Sequence, residues 1–193
     1  PWPVLPIFIF DPHILSKLSN KADARVEFIL SSLAFLNVQF AQRNTSLYVK
    51  HDDPLRAFQQ LEEEFDVQAI FTNHDYERYA DERDSSVRNW ASSKQITFNT
   101  FKDQVIFEKS EVLSGQNTPY TVFTPYSRRW KERLGLHPII QFPSEDLSNY
   151  LPCTLTLPTL DVLGFQASGI AFPGKGVDYS LIQAYQAQRD LPA

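Results

Sequence analysis

The chain has 193 residues, 42% of them hydrophobic and 13% aromatic, with a formal net charge of −5. That apolar content supports one sizeable core and excludes a disordered chain. The acidic balance excludes a surface that grips nucleic acid all round, while leaving room for a local basic patch.

In chain order, residues 3–10 read as a short apolar strand that reaches a turn at Asp11-Pro12. A buried strand so early is expected to have an earlier neighbour in its sheet. Residues 20–42 form a helix whose stripe is Val26, Ile29, Leu30, Leu33, Leu36 and Phe40. A second strand follows over 45–50. Asp53-Pro54 then pairs an N-cap residue with proline at the first helical position, and the helix runs on through Leu55, Phe58, Leu61 and Phe65. Its Glu62-Glu63-Glu64 run is a solvated face.

The central stretch is a strand over 67–72 that passes through Asn73-His74-Asp75 directly into a helix over 75–92, which Asp75 is placed to cap. Tyr76, Tyr79, Ala80, Val87 and Trp90 share a face of that helix with Arg83, for which an ion pair is expected. A fourth strand spans 95–100, and 104–107 is short and extended. Strand and helix alternating in this way imply an α/β fold, a Rossmann-like three-layer sandwich around a mostly parallel sheet.

Beyond Phe107 the rhythm changes. Gly115 to Tyr120 make a turn, and Thr124-Pro125 is expected to cap a helix that carries Trp130 and Leu134 and stops at Gly135. The proline-rich stretch after Leu136 has no periodicity and reads as an irregular connector, with helical spacing returning near 177–189.

In an open α/β sheet, ligands sit beyond the carboxyl ends of the strands. Phe10, Asp11, Asn73, Asp75 and Glu77 fall at or just past such ends and are candidates for a binding site, with Arg25 near the start of the first helix. Each also has a plainer reading: core packing for Phe10, helix capping for Asp75, the helix dipole for Glu77 and a surface salt bridge for Arg25. His13, His51, His74 and His137 lack metal-ligand spacing, so no metal is expected. The basic cluster Arg128, Arg129, Lys131 and Arg133 is a solvated helix face. No G-x-G-x-x-G or P-loop pattern occurs. The lone cysteine, Cys153, excludes an intrachain disulfide framework. Together with the lack of a long apolar run or a signal peptide, it points to the cytoplasm and to no membrane partner.

Three short sequences carry a resemblance. They are Phe8-Ile9-Phe10-Asp11-Pro12, then Pro119-Tyr120-Thr121-Val122-Phe123-Thr124-Pro125-Tyr126 with Trp130 beyond it, and Gln188-Arg189-Asp190-Leu191-Pro192-Ala193. With the order of elements, they resemble the amino-terminal domain of the photolyase/cryptochrome family. The resemblance implies a photolyase-type α/β antenna domain over 1–135 and an interdomain connector over 136–193. The family's first strand, with its Trp-Phe-Arg-x-Asp-Leu-Arg-type motif, is expected ahead of Pro1, which in a chain without methionine does not read as the start of a gene product. A helical domain holding flavin adenine dinucleotide is expected after Ala193.

The implied activity of the intact protein is light-driven splitting of pyrimidine dimers in damaged DNA, with no catalytic residue in this stretch, which alone would be inactive. The alternatives are the same domain of a blue-light-sensing cryptochrome, or a stand-alone Rossmann-like nucleotide- or partner-binding module. Within this domain, a deazaflavin, flavin or folate antenna is implied, in a monomeric protein. Folate-binding relatives carry an Asn-Glu pair where this chain has Tyr79-Ala80, which counts against folate. Deazaflavin- and flavin-binding relatives place an arginine near the position of Arg25.

Overall fold

In the computed structural model, residues 2–140, 149–172 and 179–189 are described. The elements are β1 (Ile7–Phe10), α1 (Pro12–Leu15), α2 (Ala24–Ala41), β2 (Tyr48–His51), α3 (Pro54–Glu64), β3 (Ala69–Asn73), α4 (Arg78–Ser93), β4 (Thr97–Phe101), α5 (Phe123–Leu136) and α6 (Tyr179–Gln188). The strands make two parallel pairs, β1 with β2 and β3 with β4. Parallel partners need a crossover, and α2 and α4 supply them.

The first pair is covered on both faces. Phe10 packs with Val26 and Leu33 of α2 and with Leu47, and Phe8 and Val49 adjoin the same cluster. On the opposite face, Tyr48 meets Phe65 edge-on at 6.1 Å. Leu163 and Phe165, from the irregular stretch after α5, complete the Phe10 cluster, each 3% exposed. That stretch is held by Gln166 N–H donating to the Lys21 carbonyl, and by Ser168, whose N–H and hydroxyl donate to Glu27 Oε2 at 2.8 and 2.5 Å. Irregular backbone can fill a core when its polar groups find such partners. Hydrophobic periodicity carries no trace of it.

The second pair is covered on one face. Ile70, Val87, Ala91 and Ile96 form a cluster between the strands and α4, with Leu55 and Phe58 of α3 packed against it. On the other face Phe71 and Phe101 stack on each other at 6.2 Å and stay 68% and 53% exposed.

Several local expectations change. Asp75 does not cap α4: it accepts from the N–H groups of Tyr76 (2.6 Å) and Glu77 (3.2 Å), and the helix begins at Arg78 with Glu77 as its cap. An Asx turn competes with helix at this position, and it delays the helix by one turn. Tyr76 consequently leaves the α4 face and donates its hydroxyl to Glu108 at 2.9 Å. Asp11-Pro12 opens the short α1, with Asp11 accepting from the His13 N–H. The cap of α5 is Val122, not Thr124, so Pro125 lies in the first turn, where its missing N–H has no helical acceptor to lose. The same helix passes through Gly135 to Leu136. Residues 104–107 are loop, with Phe107 held edge-on to Trp130 at 5.6 Å. Of the α2 stripe, Val26 and Leu33 are buried, while Ile29 and Leu36 are 38% and 43% exposed. The expected helix near 177–189 begins at Tyr179, and Val177 lies outside the described residues. Among the described residues no helix is long and apolar enough to cross a membrane.

Candidate functional site

Two strands end on the same device. β1 runs into Asp11-Pro12 and β2 into Asp53-Pro54, and each aspartate caps the helix that follows. Asp53 accepts from the N–H groups of Leu55 (3.0 Å) and Arg56 (3.2 Å). Proline at the first helical position fixes φ for helix entry, and aspartate satisfies the orphan N–H groups. Both carboxylates therefore sit beyond the carboxyl ends of adjacent parallel strands.

From α4, Tyr79 reaches across and donates its hydroxyl to Asp11 Oδ2 at 2.5 Å. Asp11 is 5% exposed. Burial, then the bond to the Asp11 carboxylate, push the Tyr79 phenol well above its ordinary pKa, so it stays a neutral donor. The His13 ring lies 5.6 Å from the Tyr79 ring, and the Lys17 ammonium is 5.6 Å from the same ring. His13 Nδ1 is 3.3 Å from Asp11 Oδ1 and 3.9 Å from Asp53 Oδ2.

Beside this group is a recess of about 230 Å³, lined by His13, Asp53, Leu55, Tyr79, Glu82, Arg83 and Ser86. Arg83 makes the expected ion pair, with Asp84 Oδ1 at 2.7 Å. Burial opposes its charge, but the Asp84 bond and the nearby Asp75 carboxylate outweigh burial and raise its pKa.

The sequence-derived candidates divide. Asp11 is in the cluster, and Asp75 adjoins it through its field at Arg83. Phe10 is a core side chain 4.9 Å from Phe8. Asn73 and Glu77 are exposed and do not line the recess. The Arg25 side chain is 74% exposed and pairs with its own helix cap, Asp23, at 2.6 Å, holding that carboxyl down at about 2.

His13, Asp53 and Tyr79 escaped the sequence reading as site residues. The repeated strand–Asp–Pro–helix pattern was the signal that could have found the first two. Tyr79 gave none, because its partner lies 68 residues away.

A second polar cluster lies past β3 and β4. His74 bonds Glu108 Oε1 through Nδ1 at 2.6 Å and Thr100 Oγ1 through Nε2 at 2.9 Å. Desolvation works against the Glu108 charge, but hydrogen bonds from His74 and Tyr76 hold its carboxyl below the usual range. Among the described residues no three His, Cys, Asp or Glu side chains are disposed to hold a metal ion.

The recess offers the His13 and Tyr79 rings, the Asp53 and Glu82 carboxylates, and Arg83, which Asp84 already pairs. At about 230 Å³ it falls below the roughly 300–1,000 Å³ of ligand sites. The described residues fit part of a flavin-sized chromophore, not all of one.

Comparison with known proteins gives this geometry a family. The chain is 30% identical over 98% of its length to the deoxyribodipyrimidine photo-lyase of Halobacterium salinarum, of which it spans 40%. It is 22% identical over 86% of its length to cryptochrome-1 of Macaca fascicularis, spanning 30% of that protein. The crystal structure of a class III photolyase from Agrobacterium tumefaciens superposes with a TM-score of 0.57 at 21% identity, over 68% of this chain and 26% of that one, which establishes a shared fold. The sequence profile of the DNA photolyase family matches residues 1–144, three quarters of the chain, and the chain belongs to that family as its amino-terminal α/β domain.

Proposed function

We propose that this domain holds an antenna chromophore in the crevice beyond β1 and β2, and passes excitation energy to flavin adenine dinucleotide carried elsewhere in the intact protein. The intact protein would then split pyrimidine dimers in damaged DNA, in the cytoplasm and as a monomer. The observation that carries this reading is the Asp11–Tyr79–His13 cluster with its recess, at the strand ends where α/β sheets take ligands. In it, the His13–Tyr79 ring pair would form one wall against an aromatic ring, and Arg83, beside its Asp84 partner, would face a polar group of the ligand. When bound, the chromophore supplies light absorption at wavelengths the protein lacks. The chain's residues supply position and exclusion of water.

A flavin or deazaflavin suits these residues better than folate, because Tyr79-Ala80 stand where folate-binding relatives carry an Asn-Glu pair. Repair is favoured over signalling by identity, 30% to the photolyase against 22% to the cryptochrome. The test is reconstitution of the intact protein with flavin mononucleotide, a deazaflavin and a folate, reading absorption and the action spectrum of dimer repair. Tyr79→Ala and Arg83→Ala should lower retention of the bound chromophore. Wild-type protein that retains none of the three would overturn the reading. By itself the 193-residue chain should show no repair under blue light.

A further inference from the structure

Side chains alternate between the two faces of a strand. Ile70 and Phe98 turn to the α4 face, so Thr72 and Thr100, each two residues further on, turn to it as well. The His74 N–H donates to the Phe101 carbonyl, which carries the pairing one residue past β3 and keeps His74 on that same face. An imidazole and a hydroxyl therefore stand side by side at the carboxyl ends of β3 and β4. The loop after β4 brings Glu108 to the other side of the ring.

Each bond in this group fixes the next. Desolvation opposes the Glu108 charge, but the bonds from His74 and Tyr76 outweigh it, so Glu108 is an anionic acceptor. At 2.6 Å it takes the Nδ1 proton of the neutral ring, which leaves the Nε2 lone pair facing Thr100 Oγ1 at 2.9 Å. Among the described residues the hydroxyl bonds no other group, so its proton points at Nε2. The carboxylate is itself anchored. The Glu108 N–H donates to Glu111 Oε2, which the Lys102 ammonium also holds at 2.8 Å. The side chain of Glu108 is 13% exposed and that of His74 29%, while Thr100 is half-buried, so the hydroxyl is within reach of a small molecule.

A hydroxyl in hydrogen-bond reach of an imidazole that a carboxylate orients is the arrangement of an activated oxygen nucleophile. α4 begins at the same end of the sheet, and its first-turn N–H groups have no side-chain cap. The positive pole of the helix favours negative charge developing there.

We propose that Thr100, His74 and Glu108 form an acyl-transfer site that hydrolyses small, exposed esters, with Thr100 Oγ1 as nucleophile, His74 as base and Glu108 as the group that orients the ring. Thr100 Oγ1 attacks the ester carbonyl carbon while its proton passes to His74 Nε2. The tetrahedral oxyanion collapses, the bond to the alcohol oxygen breaks, and that oxygen leaves with the proton from Nε2. Water then attacks the acyl-threonine by the same proton route, releasing the carboxylic acid and restoring the hydroxyl. The site lies apart from the Asp11–Tyr79 recess and needs no chromophore.

The experiment treats the 193-residue chain with p-nitrophenyl acetate, follows p-nitrophenolate release, and maps the acetyl group by peptide mass spectrometry. Thr100→Val, Thr100→Ser and His74→Gln are run beside it after circular dichroism has shown them folded. The wild-type chain should turn over and carry acetyl on Thr100. Thr100→Val should lose both release and label, and Thr100→Ser should keep them. His74→Gln keeps a hydrogen-bonding group without a base and should react about 100-fold more slowly. Acetyl found only on lysines would overturn the site, as would release unchanged by Thr100→Val or labelling of Thr100 at full rate in His74→Gln. If Thr100→Val fails to fold, the wild-type acetyl map and the His74→Gln rate decide.

Discussion

The two strand pairs are built from similar sequence and end in different states. The β1–β2 pair is enclosed by α2, α3 and a returning segment that brings Leu163 and Phe165 into its core. The β3–β4 pair is sealed on one face only, by α4 with α3 beside it, and leaves two stacked phenylalanines in water. Local alternation makes both pairs, but only a contact more than a hundred residues distant finishes the first. An uncovered apolar sheet face marks a place for a partner element. Burial of a side chain is thus decided by what returns to it, not by its own strand.

The comparison breaks most readily at the returning segment. Phe165→Ala or Leu163→Ala should cost about 2–5 kcal/mol in urea unfolding, by lost burial plus a cavity. Phe71→Ser and Phe101→Ser should stay within about 0.5 kcal/mol in the same unfolding measurement. Equal losses at both places would erase the distinction between the halves.

Next in size is the bridge between them. Tyr79→Phe removes a donor from the buried Asp11 and should cost about 1–3 kcal/mol. In the wild-type protein, a spectrophotometric titration should show late-ionising tyrosines, Tyr48 and Tyr76 among them, and their number should fall by one in the variant.

A smaller effect separates two aspartates of similar sequence appearance. Asp53→Ala removes a helix cap and should cost about 1 kcal/mol by thermal or urea unfolding. Asp75→Ala, which removes only a turn ahead of α4, should cost less.

The smallest effect is confined to the β3–β4 end. Glu108 has a depressed folded pKa, so its stabilising contribution is present above its ordinary value of 4.5 and is lost as pH falls through the folded value. Amide exchange at His74, Tyr76 and Glu111 should accelerate on that descent, and Glu108→Gln should remove the pH dependence. A matching loosening at Leu163 in the same range should follow Glu27, whose carboxyl is held down by the hydroxyl and then the N–H of Ser168.

The sequence by itself determined the alternation of strands and helices, the parallel class, the Asp53 cap and the presence of aspartates just past the strand ends. These depend on neighbours a few residues apart, where periodicity, proline and aspartate act directly. It placed Asp11 at the end of the first strand, where the fold buries it against Tyr79, and left Arg25, which the fold returns to Asp23, as an open choice. Asp75 was misplaced as a cap because turn and helix compete for the same carboxylate. Tertiary structure alone decided that Tyr79 closes on Asp11, that His74 lies between Glu108 and Thr100, and that Leu163 and Phe165 belong to the core. Those contacts join residues 26 to more than 100 positions apart, and what sets them is the direction of each crossover and the area left uncovered, quantities that no local window of sequence contains.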